Sequence, residues 1–112
     1  MRDQSVMTTS SSLVVLLQQL TEQLQHHEHW QESSPSDAAL ASVEPFALDT
    51  LSSTEWLQWI FIPKMFILIE NGHSLPKGFS ITPYVEETLK NQKGEAEIIS
   101  LCQAIDKLSN IL

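Results

Sequence analysis

The side chains able to do chemistry in this 112-residue chain fall into two sets. The first is Asp49, Glu55, Lys64, Tyr84, Glu86 and Glu87. Paired carboxylates work as acid and base only where their surroundings split their pKa values. Asp49, Glu55 and Glu86 each have a sufficient structural task instead, at a turn or a helix start. The second set is His26-His27-Glu28-His29. His26 and His29, three residues apart on a helix, could share a face and offer a metal two ligands. A stable site needs a third or fourth, and none is legible. Histidine also suits the C-terminal turn of a helix, where its charge complements the dipole. No metal and no cofactor are therefore expected. The three glycines are too far apart for a phosphate loop, and no serine sits in a nucleophile elbow. With no site of named roles, no independent enzymatic activity is expected.

What must position these residues is the stretch Glu55–Glu70, EWLQWIFIPKMFILIE, the most apolar run of the chain. Ser52-x-x-Glu55 has the form of a capping box and predicts a helix starting near Ser53. Asn71-Gly72 predicts its end, because glycine accepts the left-handed conformation that closes a helix. At 100° per residue, Trp56, Ile60 and Ile67 cover one side. Leu57, Phe61 and Leu68 cover another, and Trp59, Ile62, Phe66 and Ile69 a third. A helix apolar all round is expected to be buried all round, with Trp59 largely buried. The run is too short for a membrane span and is interrupted by Gln58, Pro63 and Lys64. Pro63 removes one ladder hydrogen bond and clashes with the carbonyl of Trp59, so a kink is expected there.

The rest of the chain reads as three further helices. Residues 1–10 lack periodicity and are expected to be a mobile leader, with residues 11–112 forming a single domain. Leu13, Leu16, Leu17, Leu20 and Leu24 predict a helix from about Ser11 to about His29, followed by Trp30 as a core or rim anchor. Asp37–Ala41 suggests a short helical turn. Phe46 and Leu48 are expected to pin the following link to the core, and Asp49 to accept hydrogen bonds from nearby backbone amides. Leu75, Phe79 and Ile81 are expected to pack down over the helices. Thr82-Pro83 reads as a cap followed by a first-turn proline, opening a helix that ends near Asn91. After Gly94, a stripe of Ile98, Leu101, Cys102, Ile105, Leu108 and Leu112 predicts a last helix over residues 95–112. The expected fold is all-α, a small four-helix bundle around a Pro-kinked, nearly all-apolar central helix.

Composition narrows the function. Hydrophobic residues make up 42% and charged residues 18%, as in an ordinary globular domain. Six Lys and Arg against fourteen Asp and Glu give a formal charge of −8. That balance argues against autonomous nucleic-acid binding, where basic groups must neutralise phosphates, and leaves docking onto a basic protein surface open. The lone Cys102 rules out a disulfide framework and a cysteine zinc site. No secretion signal is visible, and a cytoplasmic location is expected.

The run Pro45-Phe46-x-x-Asp49-Thr50-x-x-x-x-Glu55-Trp56-Leu57-Gln58-Trp59-x-x-Ile62-Pro63-x-Met65 resembles the signature of the YqcC-like family of small bacterial proteins. Leu75-Pro76 and Ile81-x-Pro83-Tyr84-x-Glu86 continue the likeness. It departs at Lys64, where the family usually carries arginine. The resemblance implies an all-helical protein associated, by gene neighbourhood and by name, with tRNA pseudouridine synthase C. It does not transfer that enzyme's chemistry. Synthases of that kind are larger mixed α/β proteins with a catalytic aspartate in an Arg-Leu-Asp setting, whereas Ala47 stands before Leu48-Asp49 here. The favoured reading is an interaction module that binds another protein, with tRNA pseudouridine synthase C as the candidate partner. Its candidate site residues are Asp49, Glu55, Trp56, Trp59, Pro63, Lys64, Tyr84 and Glu86. The alternative is a direct catalytic or ligand-binding part in pseudouridine formation, with Asp49 or Glu55 as the working carboxylate. The sequence leaves homo-oligomerisation open.

Overall fold

Two amphipathic helices, far apart in sequence, make the most extensive pairing in the molecule. The computed structural model describes the backbone of residues 4–111 and the side chains of residues 11–111. Helix α1 (Gln4–His26) turns Leu13, Leu17, Leu20 and Leu24 inward, and all four are buried. Helix α6 (Glu95–Asn110) answers with Ile98, Cys102 and Ile105, all fully buried. Leu112, the last residue of the expected stripe, lies outside the described residues. Helix α1 begins at Gln4 rather than near Ser11, so its backbone takes in part of the expected leader. Residues 1–3 of that leader lie outside the described residues.

The histidine-rich turn is not the last turn of α1, as expected, but the turn that ends it. Glu28 has a left-handed φ of 67°, and the His29 amide donates back to the Leu24 carbonyl at 2.8 Å. This six-to-one closure is the Schellman form of a helix end, with glutamate where glycine is usual. The turn is fastened to the start of α6. Glu28 pairs with Lys93, and the His29 ring donates from Nε2 to the Lys93 carbonyl at 2.7 Å. The His27 ring lies against Gly94, where an added Cβ would come within 2.3 Å of Cδ2. With φ at +74°, that position accepts glycine on both counts.

Helix α5 (Thr82–Thr88) begins as expected at Thr82-Pro83 but is capped differently. Thr82 does not cap it, and its buried hydroxyl has no hydrogen-bond partner among the described residues. Instead Asp106, buried on α6, accepts from the amides of Ile81 and Thr82, each at 2.9 Å. One carboxylate thus satisfies two of the amides left free at a helix start and joins α5 to α6. The helix stops at Thr88, short of Asn91. The preceding segment packs down as expected: Ile81 is buried, and Leu75 and Phe79 lie half-buried on the core. The Ser109 hydroxyl fixes it by donating to the Phe79 carbonyl.

The central helix runs as α3 (Ser53–Trp56), a π turn (Leu57–Phe61) and α4 (Ile62–Glu70). Ser52 and Glu55 form the expected capping box, and Gly72 at φ 66° closes the other end, with the His73 amide on the Leu68 carbonyl. Ahead of Pro63, where a kink was expected, the helix carries that π turn, which ends two residues before the proline, with the Ile62 amide reaching back to the Leu57 carbonyl. Single π turns are a common device where a helical ladder is interrupted.

Between α1 and the central helix lie α2 (Asp37–Leu40), capped by Ser36, and a 3₁₀ turn, Pro45–Ala47. Phe46 packs on the core, but Leu48 is 61% exposed and pins nothing; Ala47 and Leu51 are the buried residues of the link. The described residues are all-α as expected, with five helices when the central one is counted once, four of them of seven residues or more. Among the described residues there is no strand, and no helix is long and apolar enough to cross a membrane.

Burial of the central helix all round is the expectation that fails. Its inner side is closed: Leu57, Gln58, Phe61, Ile62 and Met65 are buried. Its outer side is not. Trp56, Trp59 and Ile60 are half-buried, Lys64 is exposed, and Ile67 is 55% exposed. The remaining stripes belong to α1, α5 and α6, and they cover only one side of a helix that is apolar on every side.

Candidate functional site

Gln58 is a polar residue in the most apolar run, and it is buried because it has a specific partner. Its side-chain amide donates to the Gln31 carbonyl and its oxygen accepts the Gln31 amide, both at 2.8 Å. The Gln31 side chain then reaches residues on either side of Gln58 along the helix. Its NH₂ group donates to Glu55 at 2.9 Å, and its oxygen accepts from the Trp59 indole at 2.9 Å. An indole only donates and a carboxylate only accepts, so the orientation of the Gln31 amide is fixed by its partners. One residue outside the helix thereby locks Glu55, Gln58 and Trp59 at once.

Glu55 is held below the usual carboxylate range, first by the Ser52 backbone amide and then by Gln31. It serves in the capping box and the clamp, and nothing in that arrangement offers a proton at neutral pH. Trp59, expected to be largely buried, is partly buried, and its ring is held in one orientation.

The locked indole lines an open apolar groove of about 490 Å³ with Leu40, Ile60, Pro63, Lys64, Ile67 and Leu68. A second groove, of about 300 Å³, lies on the other side of Ile60 and Lys64. Phe46, Trp56, Phe61, Met65 and Phe79 are among its walls. An aromatic cluster backs it. Phe46 stacks on Tyr84 with ring centres 4.3 Å apart and meets Trp56 edge-on at 4.9 Å, and Trp56 stacks on Phe61 at 5.3 Å. Such pairs contribute about 1 kcal/mol each beyond burial. They accompany a backbone in which Phe46 and Ala47 both have positive φ, 59° and 49°. Burial pushes the Tyr84 phenol up, and its hydroxyl has no hydrogen-bond partner among the described residues.

Of the residues singled out in the sequence, the fold brings Trp56, Trp59, Pro63 and Lys64 to the two grooves, with Tyr84 behind one of them. It does not bring the carboxylates there. Asp49 is exposed on the link and accepts the Ser42 hydroxyl rather than backbone amides. Glu86 is exposed on α5, and neither residue lines either groove. His26 is exposed, while the His29 Nε2 is already a donor to Lys93. Sequence reasoning missed Gln31 altogether. The one signal was Gln58, whose polarity inside an apolar run demanded a partner.

Comparisons with known proteins agree on one family. A family model described as tRNA pseudouridine synthase C (DUF446) matches residues 12–108. The chain is 40% identical over 94 residues to an uncharacterised protein of Haemophilus influenzae, covering 84% of this chain and 89% of the relative. It is 37% identical over 93 residues to the uncharacterised protein YqcC of Escherichia coli, covering 83% and 85%. A third relative, the tRNA pseudouridine synthase C of Pectobacterium carotovorum, is 41% identical over 56 residues, which is 50% of this chain and 15% of that protein. The solution NMR structure of the Escherichia coli YqcC protein superposes with a TM-score of 0.80 at 35% identity, covering 92% of this chain and 89% of that one.

Proposed function

Since the chain belongs to the YqcC-like family, whose model carries the description tRNA pseudouridine synthase C, we propose that it is a cytoplasmic accessory module that docks onto that synthase. The observation that carries this reading is the open apolar face around the locked Trp59. Apolar grooves rimmed by polar residues mark interaction sites, and a rigid aromatic anchor loses little freedom on binding. The formal charge of −8 adds long-range attraction toward a basic, RNA-handling partner. The Pectobacterium relative adds a separate argument. In that protein, named as the synthase, a stretch like half of this chain is part of a much longer polypeptide. Covalent linkage of this kind raises the effective concentration of two elements that work together.

Mixing the purified chain with purified tRNA pseudouridine synthase C in a calorimeter at low salt tests the proposal. Saturable heat and co-elution, weakening as salt rises, are the expected results; no heat and no co-elution sink that partner. An Asp49→Ala chain is expected to leave pseudouridine formation unchanged. Loss of activity with the fold intact would move the function to catalysis at that carboxylate.

A further inference from the structure

Lys64 stands on the ridge between the two grooves and lines both, and it is the only charged residue among the described residues of either lining. Among the described residues it has no carboxylate within ion-pair distance. It is thus an exposed cation at the centre of an apolar face, on a molecule otherwise rich in negative charge. We propose that this face takes a peptide segment with two large apolar side chains flanking an aspartate or glutamate, one anchor in each groove and the carboxylate on Lys64. The inference rests on the docking reading above and specifies the chemistry of the docked element.

Charge decides between the possible occupants. A second copy of the chain on a two-fold axis presents the same patch to itself. That arrangement brings the two Lys64 ammonium groups toward one another at the middle of an apolar contact, and like charges in such positions disfavour the pairing. A basic segment meets the same repulsion. A carboxylate gains at this one place on the face and at no other, so it fixes the register of the bound segment as well as adding attraction. A small carboxylic acid would satisfy Lys64 too. However, small-molecule sites bury most of their ligand, and these are two open clefts sharing a ridge. The twin clefts fit two side chains held at a fixed spacing by a backbone. The groove lined by Trp59, whose ring the Gln31 clamp holds, is shaped before the partner arrives.

Random peptides displayed on phage, selected in parallel against the full chain and against its Lys64→Glu variant, test the proposal without any synthase. The full chain is expected to enrich segments with an acidic residue between two large apolar ones. The variant is expected to enrich Lys or Arg at the same central position, and to bind the first set at least about tenfold more weakly. Lys64 is exposed and outside the core, so the variant is expected to keep the parent's circular dichroism spectrum and unfolding midpoint, which are measured alongside. An empty selection, or the same consensus on both chains, overturns the proposal. Decanoate, titrated as a free fatty acid, is the competing arm: tighter binding of decanoate than of the selected peptides assigns the clefts to small acids and also overturns it. Because no synthase is present, failure of the synthase to bind sinks only the choice of partner, while failure here sinks the segment chemistry.

Discussion

The pairing of α1 with α6 and the outer face of the central helix are built from the same kinds of residue and end differently. In the pairing, two single stripes meet and close, leaving Leu17, Leu20, Leu24, Ile98, Cys102 and Ile105 with no exposure. On the central helix the supply of apolar side chains exceeds the surface available to cover them, so Ile60 and Ile67 remain accessible beside a tryptophan held by hydrogen bonds. The first region stabilises the fold. The second is left open, and the docking proposed above would account for its apolar character. A residue's hydrophobicity therefore identifies neither role; what separates them is whether another element of the same chain closes over it.

The sharpest way to break this comparison is a matched pair of truncations. Ile105→Ala is expected to cost about 2–5 kcal/mol in urea unfolding, through lost burial and the cavity left behind. Ile67→Ala on the open face is expected to stay within about 0.5 kcal/mol of the parent. Similar losses for the two would erase the distinction. Cys102 reports on the same pairing: burial, with the nearby Asp106 charge, pushes its thiol up to about 12. It is expected to resist alkylation at mildly alkaline pH in the native protein and to react on unfolding.

Asp106→Ala comes next, at about 3 kcal/mol, because it strips two buried amides at the start of α5 of their charged acceptor. Thermal unfolding beside the Ile105→Ala chain ranks the two. Ser52→Ala is smaller, about 1 kcal/mol, the usual effect of losing an N-cap hydroxyl. The smallest expected effect concerns Glu55. Its folded pKa lies below the ordinary glutamate value, so its contribution to stability is present above the unfolded pKa and is lost as pH falls through the folded one. Gln31→Ala is expected to raise that pKa in a carboxyl NMR titration and to free the Trp59 ring, seen as a change in indole fluorescence. A Glu55 titration unmoved by the loss of Gln31 would remove the clamp from the account.

Much of this architecture was legible in local sequence. The Ser52-Glu55 box, the Gly72 stop and the α1 and α6 stripes depend on neighbours within a few positions, and each appears where the spacing puts it. What was not legible depends on residues far apart. Thr82 looked like a cap, yet the carboxylate that caps α5 comes from Asp106 on another helix. Asp49 looked like a turn acceptor and instead holds the Ser42 hydroxyl. The lock on Trp59 comes from Gln31, nearly a whole link away, and no local pattern marks it. The all-apolar helix was read as buried because periodicity states which faces are apolar, while coverage depends on how many other stripes exist to meet them. The resemblance to the YqcC-like family supplied the family itself, and the match over residues 12–108 and the YqcC structure bear it out.

The central claim is that the open side of the central helix serves binding and not folding, and Ile67→Asp tests it most directly. The account predicts a urea unfolding midpoint close to that of the parent chain, together with at least about a tenfold loss of affinity for tRNA pseudouridine synthase C in the calorimeter. Unchanged affinity, or a collapse of stability alongside binding, would contradict it.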